Sequence, residues 1–231
     1  KLLDPPLQDA RPSAGYIQAY PRGVRENGGQ YSHAGVWALI AQAMRGHGDT
    51  AYRYFTYLSP AHRSADAGRA ARYEIEPYVM AGDVYSAEPY VGRGGWSWYT
   101  GSAAWLHRAA IEHLFGVRVR GAEIALTPCL PSHWPHARIT LKRDRRTLTV
   151  VLCRPSAGAQ IDAALLDGAV ERLSGQAWAW DADDAPGCVL MRLPEAPESA
   201  STQRPRPTGA DESLRWRSEE RRVGKECSLP C

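Results

Sequence analysis

Two glycine-rich segments carry the side chains best suited to binding a small polar ligand. The first, residues 20–33, reads YPRGVRENGGQYSH and contains Arg25, Glu26, Asn27, Gln30 and His33. Glycine adopts backbone conformations closed to other residues, so the glycines of this segment would let the chain approach a ligand closely. We expect the polar side chains to converge on one small molecule. The alternative is a loop that only caps the following helix and pairs Arg25 with Glu26.

The second segment, residues 92–105, reads GRGGWSWYTGSAAW. Thr100 is the expected N-cap of a helix whose first amides, those of residues 101–103, point out of the first turn. Such amides and the helix dipole together favour a bound anion. Trp96, Trp98 and Tyr99 would add flat walls beside it. An ordinary capped helix with aromatic packing is the alternative.

Taken together, the segments predict an anion held by His33, Thr100 and the Gly101 amide, next to a sugar contacted by Glu26 and aromatic side chains. A phosphate beside a sugar indicates a phosphorylase or a sugar-phosphate enzyme. Four acidic residues lie between the segments, and no spacing among them identifies an acid/base pair: Glu74, Glu76, Asp83 and Glu88.

Composition supports a sugar ligand and argues against other partners. The 231 residues include eight Trp and eleven Tyr but two Phe, and Trp and Tyr combine an apolar face with a hydrogen-bonding edge. A Trp-rich core is the alternative interpretation. The formal net charge is +3, and residues 204–231 account for +2 of it. Residues 1–203 are therefore nearly neutral, and no nucleic-acid partner is indicated. No apolar run is long enough to predict membrane contact. The five cysteines form no C-x-x-C motif, and no metal site is predicted.

Periodicity predicts helices first and strands afterwards, the order of an α+β protein. Apolar residues recur at helical spacing in residues 31–45, 49–58 and 102–115, with Asp49 or Thr50 capping the second helix and Gly116 ending the third. Residues 73–99 predict irregular chain. Alternating residues predict short antiparallel strands at 117–119, 123–126, 138–143, 147–152, 160–163 and 188–193.

The elements group into three expected regions. Residues 1–116 form a helical domain, residues 117–194 a small antiparallel β domain, and residues 195–231 a disordered tail. Part of this tail, residues 217–227, resembles translated adaptor sequence and is left out of the functional interpretation. We expect the chain to be the C-terminal part of a longer protein, because its few helices do not close a core by themselves.

Four motifs resemble glycoside hydrolase family 94. They are VRENGGQYSH at residues 24–33, EPYVMAGDVY at 76–85, GRGGWSWYTGSAAW at 92–105 and PCLPSHWP at 128–135. This family contains inverting β-glucoside phosphorylases, such as those for cellobiose and chitobiose, and the C-terminal domain of cyclic β-1,2-glucan synthases. The resemblance covers about residues 1–160.

The resemblance implies a fold and a set of roles. It implies that the helices are the last ones of an (α/α)6 barrel, followed by the β domain. His33, Thr100 and Gly101 would hold inorganic phosphate, the co-substrate, and no other cofactor is implied. The side chains expected to contact the sugar are Tyr20, Arg25, Glu26, Gln30 and Trp98.

In the implied reaction, phosphate attacks the anomeric carbon while a carboxylic acid protonates the leaving oxygen. The family's general acid is an Asp in an earlier part of the barrel, and no residue here matches its motif. We therefore assign no catalytic acid and expect the chain alone to be inactive. Gly82 stands where cellobiose-type members have a Gln that touches a sugar, and the run GRGGWSWY resembles the cyclic glucan synthase branch more closely. That branch, or a β-1,2-oligoglucan phosphorylase, is therefore favoured.

Two other functions stay open at this point. An inverting glycosidase would use water in place of phosphate, and a carbohydrate-binding fragment would hold sugar without turnover. The expected ligands are a β-glucan or β-glucoside and phosphate. A cytoplasmic location, the cytoplasmic face of the inner membrane, and a homodimer of the longer protein are compatible with the resemblance.

Overall fold

The computed structural model describes residues 3–98, 100–155, 166–180, 182 and 184–195. The strand expected at 160–163, the aromatic wall expected at Tyr99 and the tail expected beyond residue 195 lie outside them. The described helices are a 3-10 turn (Gly15–Ala19), α1 (Ser32–Met44), α2 (Gly48–Leu58), α3 (Pro60–Arg63), α4 (Ala67–Tyr73), α5 (Ser102–Arg108) and a π-helix (Ala109–Leu114). The described strands are β1 (Gln30–Tyr31), β2 (Asp83–Val84), β3 (Val117–Arg120), β4 (Glu123–Leu126), β5 (His136–Arg143), β6 (Arg146–Cys153), β7 (Val170–Glu171), β8 (Ala177–Ala179) and β9 (Cys188–Arg192).

The first two predicted helices are confirmed as α1 and α2. In α1, Val36 and Leu39 are fully buried, as their spacing predicts. Helix α2 ends before Pro60, because the residue preceding a proline disfavours helical conformation. The predicted cap at Asp49 or Thr50 is wrong, since both residues lie inside α2. The Asp49 carboxylate instead accepts the backbone N–H of Ser132 at 2.7 Å, which ties α2 to the chain before β5.

The third predicted helix is confirmed as α5, which continues without a break into the π-helix. The amide of Phe115 donates to the carbonyl of Ala110 at 2.9 Å, a five-residue spacing that widens the last turn. Gly116 then ends the helix at a φ of +71°, where glycine carries no steric penalty. A Cβ at this position would overlap the Thr127 carbonyl, so the glycine also lets the chain turn tightly into β3.

Helices α3 and α4 are not among the predicted elements. They are short, and their apolar residues give little periodic signal. Asp66 caps α4 by accepting the Arg69 N–H at 2.9 Å, and Glu74 ends it in the left-handed region with a φ of +54°. The following residues are mainly irregular as predicted, apart from the two-residue strand β2.

The strands form three sheets, and one of them corrects the expected antiparallel arrangement. Strands β1 and β2 pair antiparallel, as do β3, β4 and β8 in that order. The four-stranded sheet has the order β5-β6-β9-β7, and β9 runs parallel to both β6 and β7. It is therefore mixed. Periodicity marks a segment as a strand but does not tell which neighbour it pairs with or in which direction.

The helical part and the sheet part each contain a buried apolar cluster. The helical cluster is formed by Val36, Leu39, Leu58, Met80, Leu106 and Ala109. The larger cluster includes residues from both larger sheets, among them Ile124, Leu126, Leu148, Val150, Leu152, Trp178, Val189 and Met191. The α+β class is confirmed, whereas the barrel and the domain boundary after residue 116 stay predictions. None of the helices within the described ranges is long and apolar enough to cross a membrane.

Candidate functional site

The loop that carries Arg25 and Glu26 is anchored by one buried amide. Asn27 is fully buried, and its Nδ2 donates to the Tyr20 carbonyl at 2.6 Å while its Oδ1 accepts the Leu7 N–H at 2.6 Å. The Asn27 side chain, which we expected to contact the ligand, therefore binds the chain itself, at Tyr20 and at Leu7. This fixes the positions of the two polar residues that precede Asn27.

Arg25 is held from three directions. Its backbone lies in the left-handed region at a φ of +50°, and its N–H donates to Asp83 Oδ2 at 2.6 Å. Its Nη1 donates to the Tyr20 hydroxyl at 2.8 Å, and its Cζ lies 4.0 Å from the centroid of the Trp96 ring. The guanidinium is therefore oriented before any ligand arrives, which lowers the entropy cost of binding.

Trp96 occupies the space that a side chain at position 82 would need. A Cβ placed on Gly82 in ideal geometry would overlap the indole, with Cζ2 only 2.5 Å away. The two residues are also joined through the backbone, since the Gly82 N–H donates to the Trp96 carbonyl at 2.8 Å. The glycine at position 82 thus permits the contact between Trp96 and Arg25.

Asp83 and Glu26 place two carboxylates next to this arginine. Asp83 is fully buried, and its Oδ1 has no hydrogen-bond partner among the described residues. Burial raises the pKa of the Asp83 carboxyl and the nearby Glu26 charge raises it further, although the contacts with Arg25 oppose both effects. Glu26 is half-buried, and its Oε2 is enclosed without a described partner. Such an oxygen is suited to accept a ligand hydroxyl.

His33, in the first turn of α1, lies next to Gly101. Its Cε1 is 3.8 Å from the position that a Cβ would take on Gly101. Its Nε2 is enclosed and has no hydrogen-bond partner among the described residues. The indoles of Trp37 and Trp105 pack against the imidazole, with ring centroids 5.0 Å and 5.8 Å away. The imidazole is thus fixed in place, with one ring nitrogen enclosed and without a partner among the described residues.

Thr100 lies at this end of the site, but the residue immediately before α5 is Gly101 and not Thr100, which we expected as the N-cap. Its Oγ1 accepts the Ser102 N–H at 3.1 Å and lies 2.7 Å from the Ser102 hydroxyl. The Ser102 amide is therefore already bonded, and Gly101 precedes the helix. The Ala103 amide belongs to the first turn of α5, where a helix has no internal acceptor.

Gln30 and Trp98 make other contacts. The Gln30 side chain points towards Gly35, with Nε2 2.9 Å from the position of a Cβ there, and it lines a cavity between α1 and α2. Trp98 is 70% exposed, and its Nε1 donates to Glu76 Oε1 at 3.1 Å. That hydrogen bond lowers the pKa of the Glu76 carboxyl.

The remaining acidic residues of the 73–99 segment are exposed. Glu74 pairs with Arg93 at 3.0 Å, and Glu88 lies at the surface. Asp83 is thus the buried carboxylate of this group. Within the described ranges, no three His, Cys, Asp or Glu side chains are arranged to hold a metal ion.

Residues 1–116 match the family model that describes the catalytic domain of the glycosyl hydrolase 94 superfamily. This range contains every site residue predicted above. The chain belongs to this superfamily. The resemblance inferred from the motifs is therefore confirmed.

Similar proteins from the superfamily are much longer than this chain. It is 43% identical over 156 residues to the cyclic β-(1,2)-glucan synthase NdvB of Rhizobium meliloti (strain 1021), covering 68% of this chain and 6% of that protein. It is 28% identical over 151 residues to the solabiose phosphorylase of Paenibacillus borealis, covering 65% and 19%. It is also 28% identical over 141 residues to the N,N'-diacetylchitobiose phosphorylase of Vibrio proteolyticus, covering 60% and 17%. The chain spans less than a fifth of each of these relatives.

Two features of the candidate site were not predicted. Trp37 and Trp105 flank His33, and the position of Trp37 four residues after His33 on one helix is a signal that was available in the sequence. The overlap of Trp96 with the space above Gly82 had no such signal, because it depends on how two loops pack together.

Proposed function

We propose that this chain provides the phosphate-binding and part of the sugar-binding surface of an inverting glycoside phosphorylase that acts on β-glucans or β-glucosides. Membership of the glycosyl hydrolase 94 superfamily supports the reaction class. The names of the similar proteins, two disaccharide phosphorylases and a cyclic β-(1,2)-glucan synthase, support a glycoside and phosphate as substrates.

One observation carries the proposal. The enclosed, unpartnered Nε2 belongs to an imidazole that lies beside Gly101, at the start of α5. Burying a polar nitrogen without a partner costs free energy, so such an atom is expected where a ligand supplies the missing hydrogen bond. Phosphate oxygens would accept bonds from the His33 imidazole, the Thr100 hydroxyl and the Gly101 amide.

In this proposal the chain's residues position the nucleophile. His33 and the amide hold phosphate in line with the anomeric carbon and offset its charge, which lowers the entropy and the electrostatic parts of the barrier. A carboxylic acid must protonate the leaving glycosidic oxygen. We assign that role to no residue of this chain, and we therefore expect the chain alone to bind its ligands without turning them over.

The sugar would lie beside the other end of the site. Arg25, oriented by Tyr20 and Trp96, donates to sugar hydroxyls, and the enclosed Glu26 Oε2 accepts from them. Gln30 and Trp98 stay predicted sugar contacts; Gln30 lines the cavity between α1 and α2, and the Trp98 indole is bonded to Glu76.

A β-1,2-linked glucan is the substrate that we favour. The relative with 43% identity is a cyclic β-(1,2)-glucan synthase. In addition, Trp96 fills the space above Gly82, so the side-chain contact to sugar made from this position in cellobiose-type members has no counterpart here.

The test is to assay the full-length gene product that contains this chain, with β-1,2-glucan and with cellobiose, in the presence and absence of phosphate. Phosphate-dependent release of glucose 1-phosphate from β-1,2-glucan is expected. Release of glucose at equal rates without phosphate would identify a glycosidase instead. Glucan binding with no product would indicate a carbohydrate-binding fragment, and phosphorolysis of cellobiose alone would refute the β-1,2 assignment.

A His33→Ala variant of that protein separates the role of the phosphate site from that of the sugar site. Phosphorolysis should fall at least about 100-fold, the scale seen when a positioned charge-stabilising group is lost. Sugar binding should stay unchanged. As a matched control, His107→Ala removes an exposed histidine of α5 and should leave both unchanged.

A further inference from the structure

A second cluster of polar groups, unrelated to the residues above, surrounds a cavity of about 400 Å³ between α2, α3, α4 and Gly92. Three arginines line it, Arg63, Arg69 and Arg72, together with His62 and Tyr73. Cavities that hold small molecules have volumes of about 300–1,000 Å³. The size and the positive lining suit a small anionic ligand.

Two of these arginines form no ion pair with a described residue. No carboxylate of the described residues lies within ion-pair distance of Arg63 or Arg72. Arg69 is paired with Asp66 at 3.1 Å, although both of these side chains are mostly exposed to solvent. The cavity therefore carries an excess of positive charge.

Gly92 brings the two unpaired guanidinium groups close together. It has a φ of +91°, and a Cβ there would lie 2.7 Å from Arg72 Cδ and 3.8 Å from Arg63 Nη2. The stem of Arg72 thus packs directly on the glycine backbone, at the place that the end of Arg63 also reaches. Two like charges held near one another, without a carboxylate between them, are unfavourable unless an anion binds.

Part of the cavity lining is buried, whereas Arg69 and Arg72 are exposed. Burial lowers the pKa of the Arg63 guanidinium, Tyr73 opposes this effect, and the neighbouring charges of Arg69 and Arg72 lower the pKa further. The Nδ1 of His62 is enclosed and has no hydrogen-bond partner among the described residues. A low local dielectric strengthens a charge-assisted hydrogen bond from the half-buried Arg63 to an anion.

We propose that this cavity is an anion-binding site for a phosphate monoester or inorganic phosphate, held by Arg63 and Arg72. Guanidinium groups bind phosphate oxygens through two parallel N–H bonds, and two such groups match the double negative charge of phosphate. The inference does not depend on the proposed function, because it uses none of the residues near His33.

The first test uses the unmodified full chain. Phenylglyoxal, which reacts with arginine guanidinium groups, is applied with and without inorganic phosphate, and modification at each arginine is read by mass spectrometry. A parallel arm uses glucose 1-phosphate, and chloride keeps the ionic strength constant. We expect saturable protection of Arg63 and Arg72 but none of Arg53, which is exposed on α2. Equal modification of Arg63 and Arg72 with and without phosphate would overturn the proposal.

The second test measures affinity in a His33→Ala background, so that the site near Gly101 does not contribute. Arg63→Gln and Arg72→Gln should each weaken phosphate binding, measured by isothermal titration calorimetry, about tenfold or more, because each removes a charge-assisted contact. Arg53→Gln should leave it unchanged. Equal affinity in all three variants would contradict the proposal, and stronger binding of glucose 1-phosphate than of phosphate would identify the monoester as the ligand.

Discussion

The contact between Gly82 and Trp96 makes the clearest quantitative prediction for a single substitution. Gly82→Ala adds one methyl group, 2.5 Å from Cζ2 and 2.6 Å from Nε1 of the indole. Carbon atoms in contact are separated by about 3.5–4.0 Å. The ring must therefore move by at least about 1 Å. Such a shift disturbs its contact with the guanidinium of Arg25, which lies 4.0 Å from the ring centroid.

The expected cost follows from the rigidity of these neighbours. Arg25 is bonded to Asp83 and to Tyr20 at 2.6 Å and 2.8 Å, so it yields little. Overpacking of this kind lowers the free energy of unfolding by about 1–3 kcal/mol. For a domain of this size each kcal/mol corresponds to about 2–4 °C, so the melting temperature should fall by about 2–12 °C.

Thermal unfolding of the wild type and of four variants measures this cost. Gly82→Ala should be destabilising in the wild-type background but should cost less than about 0.5 kcal/mol when Trp96→Ala has already removed the ring. Gly68→Ala, on the exposed part of α4, is the matched control and should stabilise slightly, because alanine favours helix more than glycine does. An equal cost of Gly82→Ala in both backgrounds would refute the packing argument.

Three further substitutions test other contacts. Gly116→Ala should lower the free energy of unfolding by at least about 2 kcal/mol, measured by urea unfolding, because of its φ of +71° and the overlap with the Thr127 carbonyl; an unchanged midpoint would contradict this. The folded-state pKa of Asp83 is raised above its ordinary 3.8, so ionisation disfavours the fold. The wild type should lose stability relative to Asp83→Asn as pH rises above 3.8, with no such trend below it; a parallel dependence in both proteins would exclude this effect. Arg154 is buried and donates to the carbonyls of Trp134 and Pro194. Replacing Arg154 by Met should lower the free energy of unfolding by about 1–3 kcal/mol. An unchanged melting temperature would show that those hydrogen bonds are dispensable.

Much of the fold is predictable from local patterns. The spacing of Val36 and Leu39 predicts α1, and the alternation around residues 144–146 predicts the hairpin of β5 and β6. The parallel pairing of β9 with β6 is not predictable in this way, because it depends on the path of the intervening chain. Short elements such as α3 also escape, since four residues give no periodic signal.

The site was predictable to the extent that its residues are contiguous in the sequence. Arg25 and Glu26 lie in one loop, and Thr100 and Gly101 precede one helix, so each pair follows from its motif. The two segments taken together also predicted His33 beside Gly101, whereas the contacts of Arg25 with Asp83 and Trp96 were not predicted, because they depend on how loops pack. The arginine-lined cavity near Gly92 was missed for the same reason, because it joins three short helices and a loop.

The most direct test of the account is a titration of the full chain with inorganic phosphate, followed by nuclear magnetic resonance at constant ionic strength. We predict saturable shifts of the Gly101 amide and of the His33 imidazole nitrogens, and we predict that His33→Ala abolishes the Gly101 shift. A Gly101 amide that does not respond to phosphate, or that responds equally in His33→Ala, would contradict the central claim.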